Sequence, residues 1–189
     1  MVLTVTSQPA DEPLTVDEAK RHLRVLHADL DGEIETLVKV SRDYAERYAA
    51  RTLRTSVTRV LKMSDWFCGE LKLPFPPLLG VTSVTYYDTS AASQTLASSN
   101  YEVELSTDGG GRIVWAWDAV LPTLFTREDA VTVTFTTGYS ANTAIPPLAL
   151  HAMKTKLTEL FGVGSENEIK AAKESTDRLL GMVDWTGYA

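Results

Sequence analysis

The chain has 189 residues, of which 44% are hydrophobic and 23% charged, and its net charge is −7. These values predict one ordinary globular domain, or one domain with an insertion, and they exclude a free-standing nucleic-acid binder, which needs a basic surface. The single cysteine, Cys68, excludes an internal disulfide framework and a cysteine-rich zinc site. We expect it to be a buried or half-buried small hydrophobe. No apolar run approaches the roughly 20 residues of a membrane span, and the N-terminus lacks a signal peptide's pattern, so we expect a protein used without secretion.

Residues 1–12 are predicted to form an extended arm, in which residues 2–5 have the composition of a strand that adds to a neighbour. Two helices follow between Pro13 and Thr52. In the first, Thr15 as N-cap and Glu18 three residues later form a capping-box pattern. The second has Asp31 as its predicted N-cap. The apolar stripe of the first helix is Val16, Ala19, Leu23 and Leu26, and that of the second is Ile34, Leu37, Val38, Ser41, Ala45 and Tyr48.

From residue 55 to residue 139 the pattern is alternation, with many Thr, Val, Tyr and Trp residues, which is typical of strands. We predict strands over residues 55–63, 71–73, 81–88, 94–96, 101–104, 112–115 and 131–137. In the last of these, Val131, Val133 and Phe135 share one face and threonines occupy the other, so this strand should be half-exposed. The prolines at 74, 76 and 77 predict a stiff loop between strands, because proline cannot donate to a ladder.

The helical pattern returns at Ile145-Pro146-Pro147, since proline loses no hydrogen bond in a first helical turn. Leu150, Met153, Leu157 and Leu160 recur at helical spacing, and Gly162 and Gly164 end the helix. We expect this helix to cover the stripes of the first two helices. Residues 165–180 predict a further, more polar helix or pair of turns.

The predicted fold class is therefore α+β, a small helical bundle with a β-rich module inserted between its second and third helices. Residues 1–12 are the N-terminal arm, residues 13–54 and 145–180 the helical bundle, residues 55–139 the inserted module, and residues 181–189 a C-terminal tail.

The chain offers no motif for catalysis, cofactor binding or metal binding. His22 and His27 are five residues apart and diverge on a helix, and His151 lies on another helix, so they do not predict a metal site. The glycines at 109–111 lead into a strand rather than into a helix N-terminus, which indicates a turn instead of a phosphate cradle. Asp29 and Asp31 precede Gly32, but the spacing of a calcium loop is incomplete, and a helix cap is the better interpretation. A hydrolase would need a nucleophile–base pair, to which no spacing points.

Two aromatic features leave alternatives open. Trp115 and Trp117 are two residues apart and so on one face of a strand, where they either stack on a sugar or base or fill the core of a small sheet or a subunit contact. The C-terminal segment carries residues of the kinds that are enriched in protein contacts. These residues are Arg178, Leu179, Leu180, Met182, Trp185 and Tyr188. The segment either binds another protein or folds back on its own bundle.

Several stretches together resemble one family. Residues 12–25 (EPLTVDEAKRHLRV), residues 43–48 (DYAERY), residues 73–78 (LPFPPL), residues 81–88 (VTSVTYYD), residues 131–139 (VTVTFTTGY) and residues 145–148 (IPPL) carry the resemblance. In this order they resemble the head–tail connector (adaptor) proteins of long-tailed bacteriophages and related gene transfer agents. The likeness covers nearly the whole chain and is weakest after Gly162.

The resemblance implies a structural protein of the virion neck, not an enzyme, assembled in the bacterial cytoplasm. Such connectors form a ring, typically dodecameric, beneath the portal protein. The ring extends the DNA channel and joins the head to a stopper or tail-completion protein. In relatives C-terminal segments dock on the portal, which here implies portal contact by residues 178–188. DNA would pass without specific binding, no membrane would be involved, and no cofactor is implied. The alternative is a ligand-binding module whose aromatic insertion, with Trp115, Trp117 and the loop of residues 74–77, holds a carbohydrate or peptide.

Overall fold

A computed structural model describes residues 1–105, 110–162 and 165–183, and these form a mixed α+β fold. The helices are α1 (Val16–Leu23), α2 (Asp31–Ala49), α3 (Pro147–Phe161) and α4 (Glu166–Met182). The strands are β1 (Val2–Ser7), β2 (Val57–Met63), β3 (Glu70–Leu73), β4 (Leu78–Tyr87), β5 (Ser93–Thr95), β6 (Tyr101–Leu105), β7 (Gly111–Trp115) and β8 (Val131–Thr137). Strands β2 to β8 lie between α2 and α3 in the chain, so the predicted fold class is confirmed.

Strand β8 is the centre of a five-stranded antiparallel sheet with the order β1-β2-β8-β4-β5. Its Val131, Val133 and Phe135 are fully buried, whereas the threonines between them are half-buried, as the alternation predicted. Strands β3, β7 and β6 form a second, three-stranded antiparallel sheet. Leu71, Leu73 and Ile113 from this smaller sheet pack with residues of β8, so both sheets share one hydrophobic core.

The N-terminal residues form a strand of the chain's own sheet. Strand β1 pairs antiparallel with β2, with Leu3 opposite Leu61, so the prediction that residues 2–5 add a strand to a neighbour is confirmed, and that neighbour is a strand of the same chain. Since β2 is separated from β1 by two helices, no local pattern could identify this partner. The pairing makes β1 one edge of the five-stranded sheet.

The capping box of α1 is confirmed: the Glu18 amide donates to Thr15 Oγ1 at 3.3 Å, and the Thr15 amide donates to Glu18 Oε2 at 3.0 Å. The helix ends at Leu23 because Arg24 adopts a left-handed conformation, with φ of 60°. Leu26 therefore lies beyond the helix, and its side chain is 97% exposed. Its predicted place on the apolar stripe was wrong.

The predicted N-cap of α2 was also wrong. Leu30 occupies the N-cap position, and its side chain makes no capping hydrogen bond. Asp31 is the first helical residue instead, and its Oδ1 lies 2.6 Å from Lys20 Nζ. The carboxylate thus connects α2 to α1 through an ion pair.

Helix α3 covers the stripes of the first two helices, as predicted. It begins at Pro147, and its Met153 and Leu157 are fully buried against residues of α1, α2 and α4, whereas Leu150 and Leu160 are half-buried. Tyr48 is 50% exposed and does not belong to the buried part of the α2 stripe.

The end of α3 agrees with the prediction at Gly162. Gly162 adopts φ of 70° and closes α3, while Gly164 lies outside the described residues. The segment after it forms one helix, α4, with Ser165 and Glu168 as a second capping box.

Cys68 is exposed, which contradicts the expectation that it is buried. It lies in the turn between β2 and β3, directly before Gly69, whose φ of 74° reverses the chain. The neighbouring Trp66 and Phe67 pack against the sheet core in its place. In this turn the two large aromatic side chains are therefore partly buried, and Cys68 lies at the surface.

Candidate interaction surfaces

Within residues 1–105, 110–162 and 165–183, no group of three or more His, Cys, Asp or Glu residues is arranged to hold a metal ion. None of the helices in this part of the chain is long and apolar enough to cross a membrane. The three histidines are not brought together as a site. His22 Nε2 lies 2.9 Å from Thr158 Oγ1 and joins α1 to α3, and His27 Nδ1 lies 3.5 Å from an exposed Asp29 carboxylate. Desolvation, with the nearby charge of Lys154, lowers the pKa of His22.

A buried ion network joins the N-terminal arm, α2 and the start of the sheet. Arg42 on α2 places Nε 2.7 Å from Glu12 Oε2 and Nη1 2.7 Å from Glu46 Oε2. Arg54 donates to the other oxygen of Glu12, and the four side chains are 8–16% exposed. Burial acts to lower the pKa of Arg42, but Glu46 and Glu12 outweigh it and raise that pKa. The network fixes the arm against both the bundle and the sheet.

A second polar group at the same junction contains Arg59 on β2. Its Nε donates to Thr137 Oγ1 and its Nη2 to Thr52 Oγ1, both at 3.0 Å. The guanidinium lies over the ring of Phe75, with 4.4 Å between Cζ and the ring centroid. Burial lowers the pKa of Arg59, against the opposing effect of Glu46. The proline loop is tied to the same place, since the Thr52 amide donates to the Pro76 carbonyl at 2.9 Å.

A polar contact also runs through the helical bundle. The Tyr44 hydroxyl on α2 donates to Asp177 Oδ1 on α4, and Lys156 Nζ of α3 lies 3.9 Å from the centroid of the Tyr44 ring. The hydrogen bond to Asp177, with burial, raises the pKa of Tyr44 to about 12. Three helices therefore meet at one aromatic side chain.

The structure separates the two tryptophans that the sequence placed on one strand face. Strand β7 ends at Trp115, whose Nε1 donates to the Phe67 carbonyl at 3.0 Å. Its ring stacks on that of Phe67 at 4.1 Å and meets that of Trp66 edge-on at 5.5 Å. Trp117 lies beyond the strand and is fully exposed. The two tryptophans thus form no common platform for a ligand.

Large apolar side chains are nevertheless exposed on several edges of the molecule. Trp117, Val120 and Phe125 lie on the segment between β7 and β8, with Val120 74% exposed. Val103 and Leu105 lie on the edge strand β6, and Val2 and Val5 on the edge strand β1. Edge strands with exposed apolar groups are surfaces on which other chains can pair. These residues are among the exposed apolar side chains of the described part of the chain.

Four of the predicted contact residues near the C-terminus, Arg178, Leu179, Leu180 and Met182, lie on the last turns of α4, which continues to Met182. Leu180 is 2% exposed within the bundle core and Leu179 packs partly against it. Arg178 is exposed and Met182 is 65% exposed. Trp185 and Tyr188 lie outside the described residues. Of the two alternatives for the C-terminal segment, packing on its own bundle is therefore observed for Leu179 and Leu180.

Sequence reasoning missed the junction network and the arginines around it. Arg42, Arg47, Arg51, Arg54 and Arg59 recur every three to five residues across the end of α2 and the start of β2. Such a run in a chain of net charge −7 is a signal that the sequence does contain. No single helical or strand period reveals this run, because it crosses the boundary between a helix and a strand.

No protein-family model matches the sequence, and no curated protein does either. Solved structures do match. A chain from the neck of an empty gene transfer agent (GTA) particle computed with C6 symmetry has a TM-score of 0.72 and 18% identity, over 93% of this chain and 95% of that chain. A chain from the virion of a native GTA particle gives 0.71 and 20%, over 93% and 94%. A chain from the neck of a native GTA particle computed with C12 symmetry gives 0.68 and 20%, with the same coverage.

The three matches share one property: each spans almost the full length of both chains. At this level of identity the likeness shows a common fold. The chain therefore has the fold of chains from GTA particles, which agrees with the family that the sequence resembles.

Proposed function

We propose that this protein is a structural head–tail connector in the neck of a tailed phage or phage-like particle, and that it is not an enzyme. The observation that carries the proposal is the common fold over 93% of the chain with chains from GTA necks. It is supported independently by the sequence stretches that resemble connectors and by the exposed edge strands. An enzymatic role is less well supported, because no catalytic motif was found in the sequence.

In the proposed assembly the chain forms a ring below the portal protein and above a stopper or tail-completion protein. The necks of the matched structures were computed with C6 and C12 symmetry, and both are compatible with a dodecameric ring of such chains. Identical subunits close into a ring through head-to-tail contacts when the rotation between them allows it. A net charge of −7 disfavours tight binding of the DNA that would pass through the channel.

We place the portal contact at the end of α4. Arg178 and Met182 are exposed there and available to a partner, whereas Leu179 and Leu180 would support the contact from within the bundle. Trp185 and Tyr188 follow directly in the sequence and would extend the same contact. In this proposal the protein is a component of the virion, assembled in the bacterial cytoplasm without a membrane partner.

Deletion of the gene in the bacterium that produces the particles tests the role. We expect heads and tails that are not joined, seen by electron microscopy, and joined particles again when the full chain is supplied. A map of the joined particles should show a ring of this chain in the neck. Normal tailed particles without the gene would overturn the proposal. Supplying a chain that ends at Val183 tests the portal contact separately, since its failure with a normally folded protein assigns the contact to residues 184–189.

A further inference from the structure

A cavity of about 380 Å³ lies at the junction of the N-terminal arm, α2, β2 and the proline loop. Five arginines line it, namely Arg42, Arg47, Arg51, Arg54 and Arg59, together with Val5 and Gln8 of the arm and Phe75 of the loop. We call this cavity the arginine pocket. It is built from four separate parts of the chain, so it exists only in the folded protein.

The charges around the arginine pocket do not balance. Asp43 and Glu46 are the carboxylates in its wall, and Glu12 lies behind it, bonded to Arg42 and Arg54. Arg42, Arg47, Arg54 and Arg59 carry four positive charges against these three carboxylates, a formal excess of one in a chain whose net charge is −7. The pocket is therefore a positive site within an acidic protein.

Arg59 is the residue that most clearly lacks a counter-charge. It is 8% exposed, and its hydrogen bonds go to the hydroxyl oxygens of Thr52 and Thr137. Among the residues that the structure describes, no carboxylate forms an ion pair with it. A buried charge is normally paired, because removing it from water is costly. The guanidinium lies over the ring of Phe75, and its Nε and Nη2 donate to the two threonines, so a carboxylate would approach it in the guanidinium plane on the Nη1 side.

Arg54 gives a second indication. Its Nε is buried and has no hydrogen-bond partner among the described residues, while its Nη2 is bonded to Glu12. Buried donors are usually satisfied, so a donor left over beside a lined cavity indicates an acceptor outside the described residues. An incoming carboxylate would supply both the charge that Arg59 lacks and an acceptor near Arg54.

We propose that the arginine pocket binds carboxylate side chains of an acidic protein segment. A nucleic acid is a poorer occupant, because a duplex carries its phosphates on a rigid convex surface that does not enter a cavity. A glutamate side chain on a flexible segment can reach into a cavity of this size. The inference concerns the pocket alone and does not depend on the proposed place of the protein in a particle.

The test is an NMR titration of the ¹⁵N-labelled full chain with a blocked tetraglutamate peptide, followed through the arginine Nε–H signals. We expect a saturable shift of the Arg59 signal. Arg47→Glu reverses a charge on the pocket wall, where its ion pair with Asp43 is 80% and 50% exposed, and should weaken binding at least fivefold. Arg59→Gln should weaken it further. The control Arg21→Glu makes the same charge change on α1, outside the pocket lining, and should change the affinity less than twofold.

Three results would overturn the inference: no shift of the Arg59 signal, equal weakening by Arg21→Glu and Arg47→Glu, or an oligonucleotide of the same charge that binds as tightly as the peptide. If Arg59→Gln does not fold, Arg47→Glu still decides, because Arg47 lies at the surface. Sedimentation of the wild type and Arg47→Glu then separates the two sources of such a segment. Reduced self-association in the variant assigns it to a second copy of this chain, and unchanged self-association assigns it to another protein.

Discussion

The helical bundle and the sheets bury their apolar groups in different ways. The sheet core consists of large side chains of Leu, Ile, Val, Met and Phe that meet between two layers. The bundle core includes the small residues Ala19, Ala45, Ala149 and Ala152, and Ser41, Lys156 and Thr176 are buried among its helices. The bundle also buries large side chains such as Met153 and Leu157, so it adds close helix approach and polar contacts to the apolar burial on which the sheets mainly depend. The following variants test this difference, from the largest expected effect to the smallest.

Phe135→Ala removes the largest apolar side chain of the sheet core, from the middle of β8. It is 0% exposed, and we expect the free energy of unfolding to fall by about 3–5 kcal/mol because a cavity remains. The matched variant in the bundle is Leu157→Ala, which should cost about 2–5 kcal/mol and less than Phe135→Ala. Urea denaturation followed by circular dichroism measures both. A larger loss for Leu157→Ala would contradict the expectation that the larger side chain, Phe135, leaves the more costly cavity.

Glu12→Gln tests the boundary between the two regions. The neutral side chain leaves Arg42 and Arg54 without their shared carboxylate in a network that is 8–16% exposed. Breaking such a pair from one side costs about 3 kcal/mol, which we expect in the same denaturation experiment. The control is Glu35→Gln, which removes an exposed pair with Lys39 and should cost less than about 0.5 kcal/mol. Equal losses for the two variants would show that the junction network does not hold the regions together.

Tyr44→Phe tests the polar contact in the bundle. Loss of the hydrogen bond to Asp177 should lower the free energy of unfolding by about 1 kcal/mol at neutral pH. The pKa of Tyr44 is raised from 10.0 to about 12 in the folded state, so the unfolded chain loses this proton first as pH rises. The stabilisation is therefore complete below pH 10.0 and disappears as pH rises through about 12.

Denaturation of the wild type and Tyr44→Phe across this range should show the difference between them closing. Tyr48→Phe is the control, since that side chain is 50% exposed on the same helix and its replacement should change the free energy of unfolding by less than about 0.5 kcal/mol at neutral pH. A constant difference between wild type and Tyr44→Phe at all pH values would contradict the role of the hydroxyl.

Leu26→Ser should have the smallest effect. The side chain is 97% exposed beyond the end of α1, so we expect a change within about 0.5 kcal/mol. Leu23→Ser, three residues earlier, replaces a side chain that packs against the bundle core and should cost clearly more. Thermal unfolding of both variants distinguishes them. Equal effects would mean that the helical stripe continues to residue 26.

The sequence predicted those parts of the fold whose signal is local. The capping box at Thr15 and Glu18 needs residues only three positions apart, and the alternation in β8 is complete within seven residues. Leu26 was misplaced because one left-handed residue, Arg24, ends α1 early, and Asp31 was misplaced because Leu30 takes the N-cap position without a capping side chain. A propensity for helix gives no warning of such a single backbone conformation.

The candidate surfaces were less predictable because they join distant residues. Glu12 meets partners 30 and 42 positions away, and such pairs leave no period in the sequence. The separation of Trp115 from Trp117 follows from where β7 ends, which alternation alone does not fix. Cys68 was wrongly predicted to be buried for a related reason. Residue type predicts burial only on average, and in this turn Trp66 and Phe67 pack against the sheet core instead.

Strand β1 has a consequence for how the protein is handled and how it meets other copies of itself. Its six residues pair with the outer edge of β2. Removing them would expose the backbone amides and carbonyls along that edge, which β1 otherwise covers. In a shortened chain, the exposed edge of β2 could then pair with strand β1 of another molecule. Tags that replace or disturb residues of β1 should therefore be avoided when the native state is to be preserved.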